Sequence, residues 1–131
     1  MQDYRKLLVW HKAHALATRI KQITDGVRRD STGVTSQARR ASLSISSNIA
    51  EGCSRATDRD FAKFVQVAIA SASEVEYQLH YASDTHILRR RDVAELLPQV
   101  IEVRRMLYGL LKRLREPPRN QGQEDPGNDR E

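Results

Sequence analysis

Four stretches of this chain space their apolar residues three and four apart, and only short runs rich in Gly, Ser, Thr and Asp separate them. In the first stretch Val9, Ala13, Leu16, Ile20, Ile23 and Val27 recur at that interval, which predicts an amphipathic helix from about Tyr4 to Arg28. A turn over Asp30 to Thr35, with Gly33 inside it, leads to a second helix from about Ser36 to Ser54, for which Thr35 or Ser36 is the expected N-cap. Thr57 followed by Asp60 has the form of a capping box with the shorter acid. The third helix it opens carries Phe61, Val65, Ala68, Ala72, Val75, Leu79 and Ala82 on one stripe and is expected to end near Ile87. A fourth is expected to start near Asp92 and to carry Val93, Leu97, Val100, Leu107, Leu111 and Leu114. Pro98 lies in its early turns, where the missing N–H predicts a kink or a late start. No stretch alternates as a strand would. The fold class is therefore all-α, an antiparallel up-down-up-down four-helix bundle roughly 30 to 40 Å long.

Composition narrows the function. A chain of 131 residues suits one domain, and a single cysteine, Cys53, allows no internal disulfide, which favours a reducing, cytoplasmic setting. Cys53 itself reads as a small packed residue near a helix end. The N-terminal MQDYRKLLVWHK breaks its apolar residues with charge too soon for a signal peptide, and no later run approaches the ~20 apolar residues of a membrane span, so no membrane partner is expected. The segment EPPRNQGQEDPGNDRE, residues 116–131, has five acids against two bases. It is net −3, with almost nothing apolar to offset the entropy of ordering, so a disordered acidic tail is expected after a folded domain of residues 1–115. Since the whole chain is +5, residues 1–115 carry +8.

The second helix carries more than a core face. Ala38, Ala41, Ile45, Ile49 and Gly52 form one side, and Gln37, Arg40, Ser44, Asn48 and Glu51 form a polar stripe beside it. The third helix has a similar stripe in Ser71, Glu74, Gln78 and Tyr81. If the two face each other, Arg40 and the amides could satisfy Glu51 and Glu74 in a buried network that sets register, while Glu51 can also reach Arg55 one turn on. The stripe reads either as packing and oligomer specification or as a ligand or nucleic-acid contact. A remaining face of small residues, Ser42, Ser46, Ala50 and Cys53, invites close approach by another helix of this chain or of a second copy.

The stretches SQARRASLSISSNIAEGCSR, VWHKA and ASASEVEYQL, together with the spacing between them, resemble the family named for the protein encoded in intervening sequences of bacterial 23S ribosomal RNA genes, also called four-helix bundle proteins. The resemblance runs from about Tyr4 to Leu114, with its core at Ser44 to Gly52. It implies a small bundle that assembles as a homopentameric ring, has no enzymatic activity or cofactor, and has a role tied to RNA. Accessory proteins of diversity-generating retroelements look related, which implies a reverse transcriptase as an alternative partner. The positions that match the family pattern are Gln37, Arg40, Ser44, Asn48, Glu51, Gly52, Arg55, Ser71 and Glu74. Ser46, Cys53 and Ala70 depart from it, as does the segment GVRRDSTGVT.

Parts for catalysis are missing. None of His11, His14, His80 or His86 has a glutamate three residues before it, as a di-metal bundle would need, so no metal site is expected. There is no phosphate-binding G-x-x-x-x-G-K loop, and Ser44 and Ser47 have no histidine near them in sequence. Trp10, between Val9 and His11, reads as an anchor for the start of the first helix.

Basic residues are the remaining candidates. An antiparallel bundle gathers Arg28 and Arg29 with Arg89, Arg90 and Arg91 at one end, and Arg5, Lys6, Arg55, Arg59, Lys112, Arg113 and Arg115 at the other. Arg55, Arg59 and Lys63 are spaced by four at the start of the third helix, where the dipole also favours phosphate. Five copies around one axis would sum to about +40, a field that attracts RNA or DNA without reading sequence. The expected function is a non-enzymatic, homo-oligomeric, nucleic-acid-binding bundle; the alternative is a protein-interaction scaffold for a polymerase.

Overall fold

A computed structural model describes residues 2–117, and among them four long helices and no strand. A single 3-10 turn, Tyr4–Lys6, precedes α1 (Leu8–Asp25); α2 (Val34–Cys53), α3 (Asp58–Asp84) and α4 (Arg90–Arg115) follow. Each helix packs on its chain neighbours and α1 also packs on α4, while the diagonal pairs lie farther apart. This closes a square, up-down-up-down bundle. Most of the expected acidic tail, residues 118–131, lies outside the described residues.

The core follows the apolar spacing. All seven expected α3 residues are buried, and Val9, Ala13, Leu16 and Ile20 of α1, Ala38, Ala41, Ile45 and Ile49 of α2 and Val93, Val100, Leu107 and Leu111 of α4 join them. Fully burying one of the Val, Leu or Ile side chains stabilises the fold by about 1.5–3 kcal/mol, and an Ala less. Trp10 is half-buried against this core, stacked on His14 with ring centroids 5.0 Å apart and tilted against Tyr4 at 4.7 Å. It holds the entry of α1, the anchoring role expected of it. The small-residue face of α2 is covered within the chain itself, since Ser42, Ser46 and Cys53 are all buried. Burial pushes the Cys53 thiol up, away from the reactive thiolate.

The helix ends differ from the sequence reading for local reasons. At the N-terminus the chain makes a 3-10 turn capped by Asp3, whose Oδ1 accepts from Arg5 N at 3.0 Å, and α1 starts only at Leu8. α1 stops at Asp25, where Gly26 caps the helix and Val27 N folds back to Thr24 O at 3.1 Å. α2 begins earlier than expected, at Val34, and neither Thr35 nor Ser36 is its cap. The adjoining Gly33 has φ +74°, the left-handed region open to glycine, and the Asp30 carboxylate does the capping. Thr57 does cap α3, its Oγ1 accepting from Asp60 N at 3.1 Å. α3 ends at Asp84, where His86 takes φ +60° and Ile87 N reaches back to Ala82 O at 2.9 Å, the closing pattern of a Schellman turn. α4 runs unbroken through Pro98, so the late start does not occur. Pro98 and Ala94 are both exposed, and water can satisfy the Ala94 carbonyl that proline leaves without a donor.

Seams between helices are fastened by different chemistry. Arg19 of α1 holds Glu95 of α4 through two bonds of 2.6 and 2.9 Å, and Lys12 reaches Glu102 at 3.2 Å. Arg104 of α4 ties Glu76 at 2.6 Å and Ser73 at 3.1 Å on α3. The α2–α3 seam relies on close approach. A Cβ on Gly52 would stand 2.6 Å from the Phe61 ring and 3.0 Å from Phe64 Cβ, so only glycine allows the two helices to meet there.

Candidate nucleic-acid interface

The 26–33 connection and the 85–89 connection meet at one end of the bundle. Asp30 organises the first. Its Oδ1 accepts from Gly33 N at 2.9 Å, Val34 N at 3.2 Å and Thr32 Oγ1 at 2.9 Å, and its Oδ2 accepts from Thr35 N at 2.8 Å and Thr35 Oγ1 at 2.6 Å. Burial works against the charge of this carboxylate, but the bonds from Thr35, Thr32 and Val34 outweigh it and lower its pKa to about 2. Arg39 of α2 donates to Thr24 Oγ1 of α1 at 3.0 Å, so both flanks of the connection are held. A shaped loop results, and Arg28 and Arg29 project from it. Arg29 lines a hollow of about 580 Å3 with Ser31, Thr32, Tyr81, Thr85 and Ile87, which places the loop beside the segment leading to Arg89, Arg90 and Arg91. All five arginines are exposed, and among the described residues none has a carboxylate within 4.0 Å.

The opposite end is partly self-neutralised. Arg5 pairs with Asp3 at 3.1 Å and Lys63 with Asp60 at 3.6 Å. Arg55 lies in the connection before α3 and not on that helix, which corrects its expected place in a row with Arg59 and Lys63. It pairs with Glu51 at 3.3 Å and lies over the Phe64 ring, 4.7 Å from the centroid. Arg59, Lys63 and Arg115 do come together, around a hollow of about 360 Å3 floored by Ala62 and Leu114, and Lys112 and Arg113 are exposed in the last turn of α4.

The polar stripe is only half of what the sequence suggests. Ser44 and Ser71 meet across α2 and α3, Oγ to Oγ at 3.0 Å, and Asn48 Nδ2 donates to Ser44 O at 2.8 Å and to Ser44 Oγ at 3.0 Å. That neutral cluster sets register. The buried ionic network does not form within the chain: Gln37, Arg40, Glu51 and Glu74 are all exposed. Arg40 donates to Ser36 Oγ at 2.9 Å, and among the described residues the Glu51 carboxylate pairs with Arg55 alone. Buried Gln78 donates to Glu74 Oε2 at 3.3 Å while its own Oε1 has no partner. Sequence reasoning missed the Asp30 clamp, whose only signal is an Asp followed by Ser-Thr-Gly, and the Phe64 platform under Arg55. Among the described residues no three His, Cys, Asp or Glu side chains converge to hold a metal, and no helix is long and apolar enough to cross a membrane.

Residues 5–109 match the family model described as the 23S rRNA-intervening sequence protein. The chain belongs to this family. A crystal structure described as a protein of unknown function from the S23 ribosomal protein family of Bacteroides thetaiotaomicron VPI-5482 superposes with a TM-score of 0.74 at 23% identity, covering 80% of this chain and 99% of the other. At that identity the likeness shows the shared fold. No curated protein matches the chain. In this 23S rRNA-intervening sequence protein the polar residues Gln37, Arg40, Ser44, Asn48 and Glu51 lie on one side of α2, where Ser44 bonds to Ser71 of α3, Asn48 braces Ser44, and Gln37, Arg40 and Glu51 stay at the surface.

Proposed function

We propose that this protein is a non-enzymatic, homo-oligomeric RNA-binding bundle of the cytoplasm, acting through the arginines at the end formed by the two connections. One observation carries the reading: Arg28 and Arg29 are exposed on a loop that Asp30 keeps in shape, at the same end of the bundle as exposed Arg89, Arg90 and Arg91, and among the described residues none of the five has a carboxylate within 4.0 Å. Guanidinium groups held this way neutralise phosphates and position a nucleic acid without reading its sequence. Assembly into a ring of identical subunits, five by the family resemblance, repeats the cluster around an axis and multiplies its field. Ile101 and Tyr108, 46% and 56% exposed on the outer side of α4, supply apolar surface for a neighbouring copy to cover. The same exposed side chains support the rival reading, a scaffold for a polymerase such as a retroelement reverse transcriptase.

The deciding experiment is a titration of the intact protein with RNA across salt concentrations. Affinity is expected to fall linearly on a log–log scale with a slope of about −0.7 per contacted phosphate for single strands. No binding to RNA or DNA at ~50 mM salt, where counterion release is most favourable, removes the nucleic-acid reading and leaves the scaffold.

A further inference from the structure

We infer that the groove between α2 and α3, beside the arginine end, takes an unstacked base of single-stranded RNA; this rests on the RNA-binding reading above. Two hollows adjoin there and share Thr32 and Tyr81. One opens to Arg29, and the other, of about 330 Å3, is lined by Gln37, Glu74, Tyr77 and Gln78. That volume lies within the range of small-ligand sites, roughly 300–1,000 Å3.

Three side chains of this groove stand apart from the apolar core. Tyr77 is 68% exposed, the most exposed of the large apolar side chains among the described residues, and its ring lies 6.4 Å from that of Tyr81 one turn on. An aromatic face left open next to guanidinium groups is the usual platform for a splayed base. Gln78 is buried, yet it gives its amide donor to Glu74 and leaves its own Oε1 unpaired. Flipping the amide would set two oxygens against each other, so the orientation is fixed by the Glu74 carboxylate. A buried acceptor without a donor is unfavourable, and here the cost is spent on orienting a carboxylate at the mouth of the groove. Glu74 in turn repels phosphate and accepts N–H donors, so it suits a base edge and not the backbone.

The parts assign themselves. Arg29 holds a phosphate, the Tyr77 ring stacks on the base, and Glu74, positioned by Gln78, accepts from an exocyclic amino group. Adenine and cytosine carry that amino group and uracil presents a carbonyl in its place. The groove therefore selects single strands over duplex, and amino-bearing bases over uracil.

Full-length protein titrated with homopolymers of adenylate, cytidylate and uridylate of equal length, and with an RNA duplex, tests this. The intact protein should prefer the adenylate and cytidylate strands to the uridylate strand. Tyr77→Ala should weaken single-strand binding about tenfold, the scale of one lost base stack, with the salt slope and duplex binding unchanged, and Tyr77→Phe should restore it. Glu74→Gln should erase the discrimination against uridylate, because an amide both donates and accepts. Equal binding of all four nucleic acids by the intact protein, or a Tyr77→Ala variant indistinguishable from it, overturns the base site while leaving the phosphate-binding reading in place. Failure of every RNA to bind overturns both. Because Tyr77 is exposed, its substitutions leave the core alone, and an unchanged Tm verifies that.

Discussion

The two ends of the bundle are built from similar residues and behave differently. At the end that gathers the connection after α2, the first residues and the close of α4, basic side chains are drawn into the protein's own structure: Arg55 onto Phe64 and Glu51, Lys63 onto Asp60, Arg5 onto Asp3. At the far end the acid is the one that is drawn in. Asp30 spends both oxygens on backbone and hydroxyl donors, and the neighbouring arginines are left to solvent. Counting bases would rank the ends the other way. What distinguishes them is that one end pairs three of its bases with carboxylates, leaving Arg59, Lys112, Arg113 and Arg115 exposed, while at the other a carboxylate shapes the loop and the arginines have no acidic partner among the described residues.

That contrast can be broken from either side. The largest effect should come from Gly52→Ala at the self-neutralised end. The added methyl has no room against the buried Phe61 ring, and overpacking of this kind costs about 1–3 kcal/mol, reduced by up to about 1 kcal/mol from the better helix former. Chemical denaturation measures it, and an unchanged midpoint would show that α2 and α3 can separate freely. Next, replacing Arg89, Arg90 and Arg91 together by Ala should weaken RNA binding about tenfold or more and flatten the salt slope by about 2. The matched variant with Arg55, Arg59 and Lys63 replaced should cost less than about threefold, since two of those bases already have acidic partners. A reversed order would exchange the roles of the two ends.

Asp30 sharpens the comparison through pH. Its folded pKa, about 2, lies below the ordinary 3.8, so its contribution to stability is complete above about pH 4 and disappears as pH falls through 2. Asp30→Ala should cost about 1 kcal/mol at neutral pH, the usual scale of a lost N-cap, and should remove that part of the acid dependence, read from urea midpoints at several pH values. The smallest effect is expected at Glu51. Exposed and paired only with Arg55, it should lose less than about 0.5 kcal/mol on replacement by Ala, and a drop of several kcal/mol would mean that assembly buries it.

Much of this bundle could be read from the chain. The α3 stripe from Phe61 to Ala82 needs only the 3.6-residue period, because a side chain on that line has no option but the core. The polar stripe shows where such reading stops. Periodicity places Arg40, Ser44, Asn48 and Glu51 on one side of α2 but not at one depth, and depth depends on how near α3 approaches. With small Ser71 opposite, Ser44 is drawn in, while the longer Arg40 and Glu51 reach solvent. Eleven residues separate those two along one helix, roughly 16 Å, too far for direct pairing. The base groove was legible only as the residues Glu74, Gln78 and Tyr81 in a row; what joins them to Arg29 is the path of the 26–33 connection, which depends on Gly33 being left-handed. Proximity across a loop leaves no period in a sequence.

Gln2 N donates to Cys53 O at 2.9 Å, and α4 finishes beside Arg59, so the described chain enters and leaves the bundle at the same pole, the one away from Arg89. Anything appended before residue 2 or after residue 117 therefore departs from the self-neutralised pole. An affinity handle, a fluorophore or a tether attached at residue 2 or directly after residue 117 is anchored at the pole away from the arginine pole. Residues 2 and 117 are also the natural pair to join in a circular permutant, with new termini opened near Arg89.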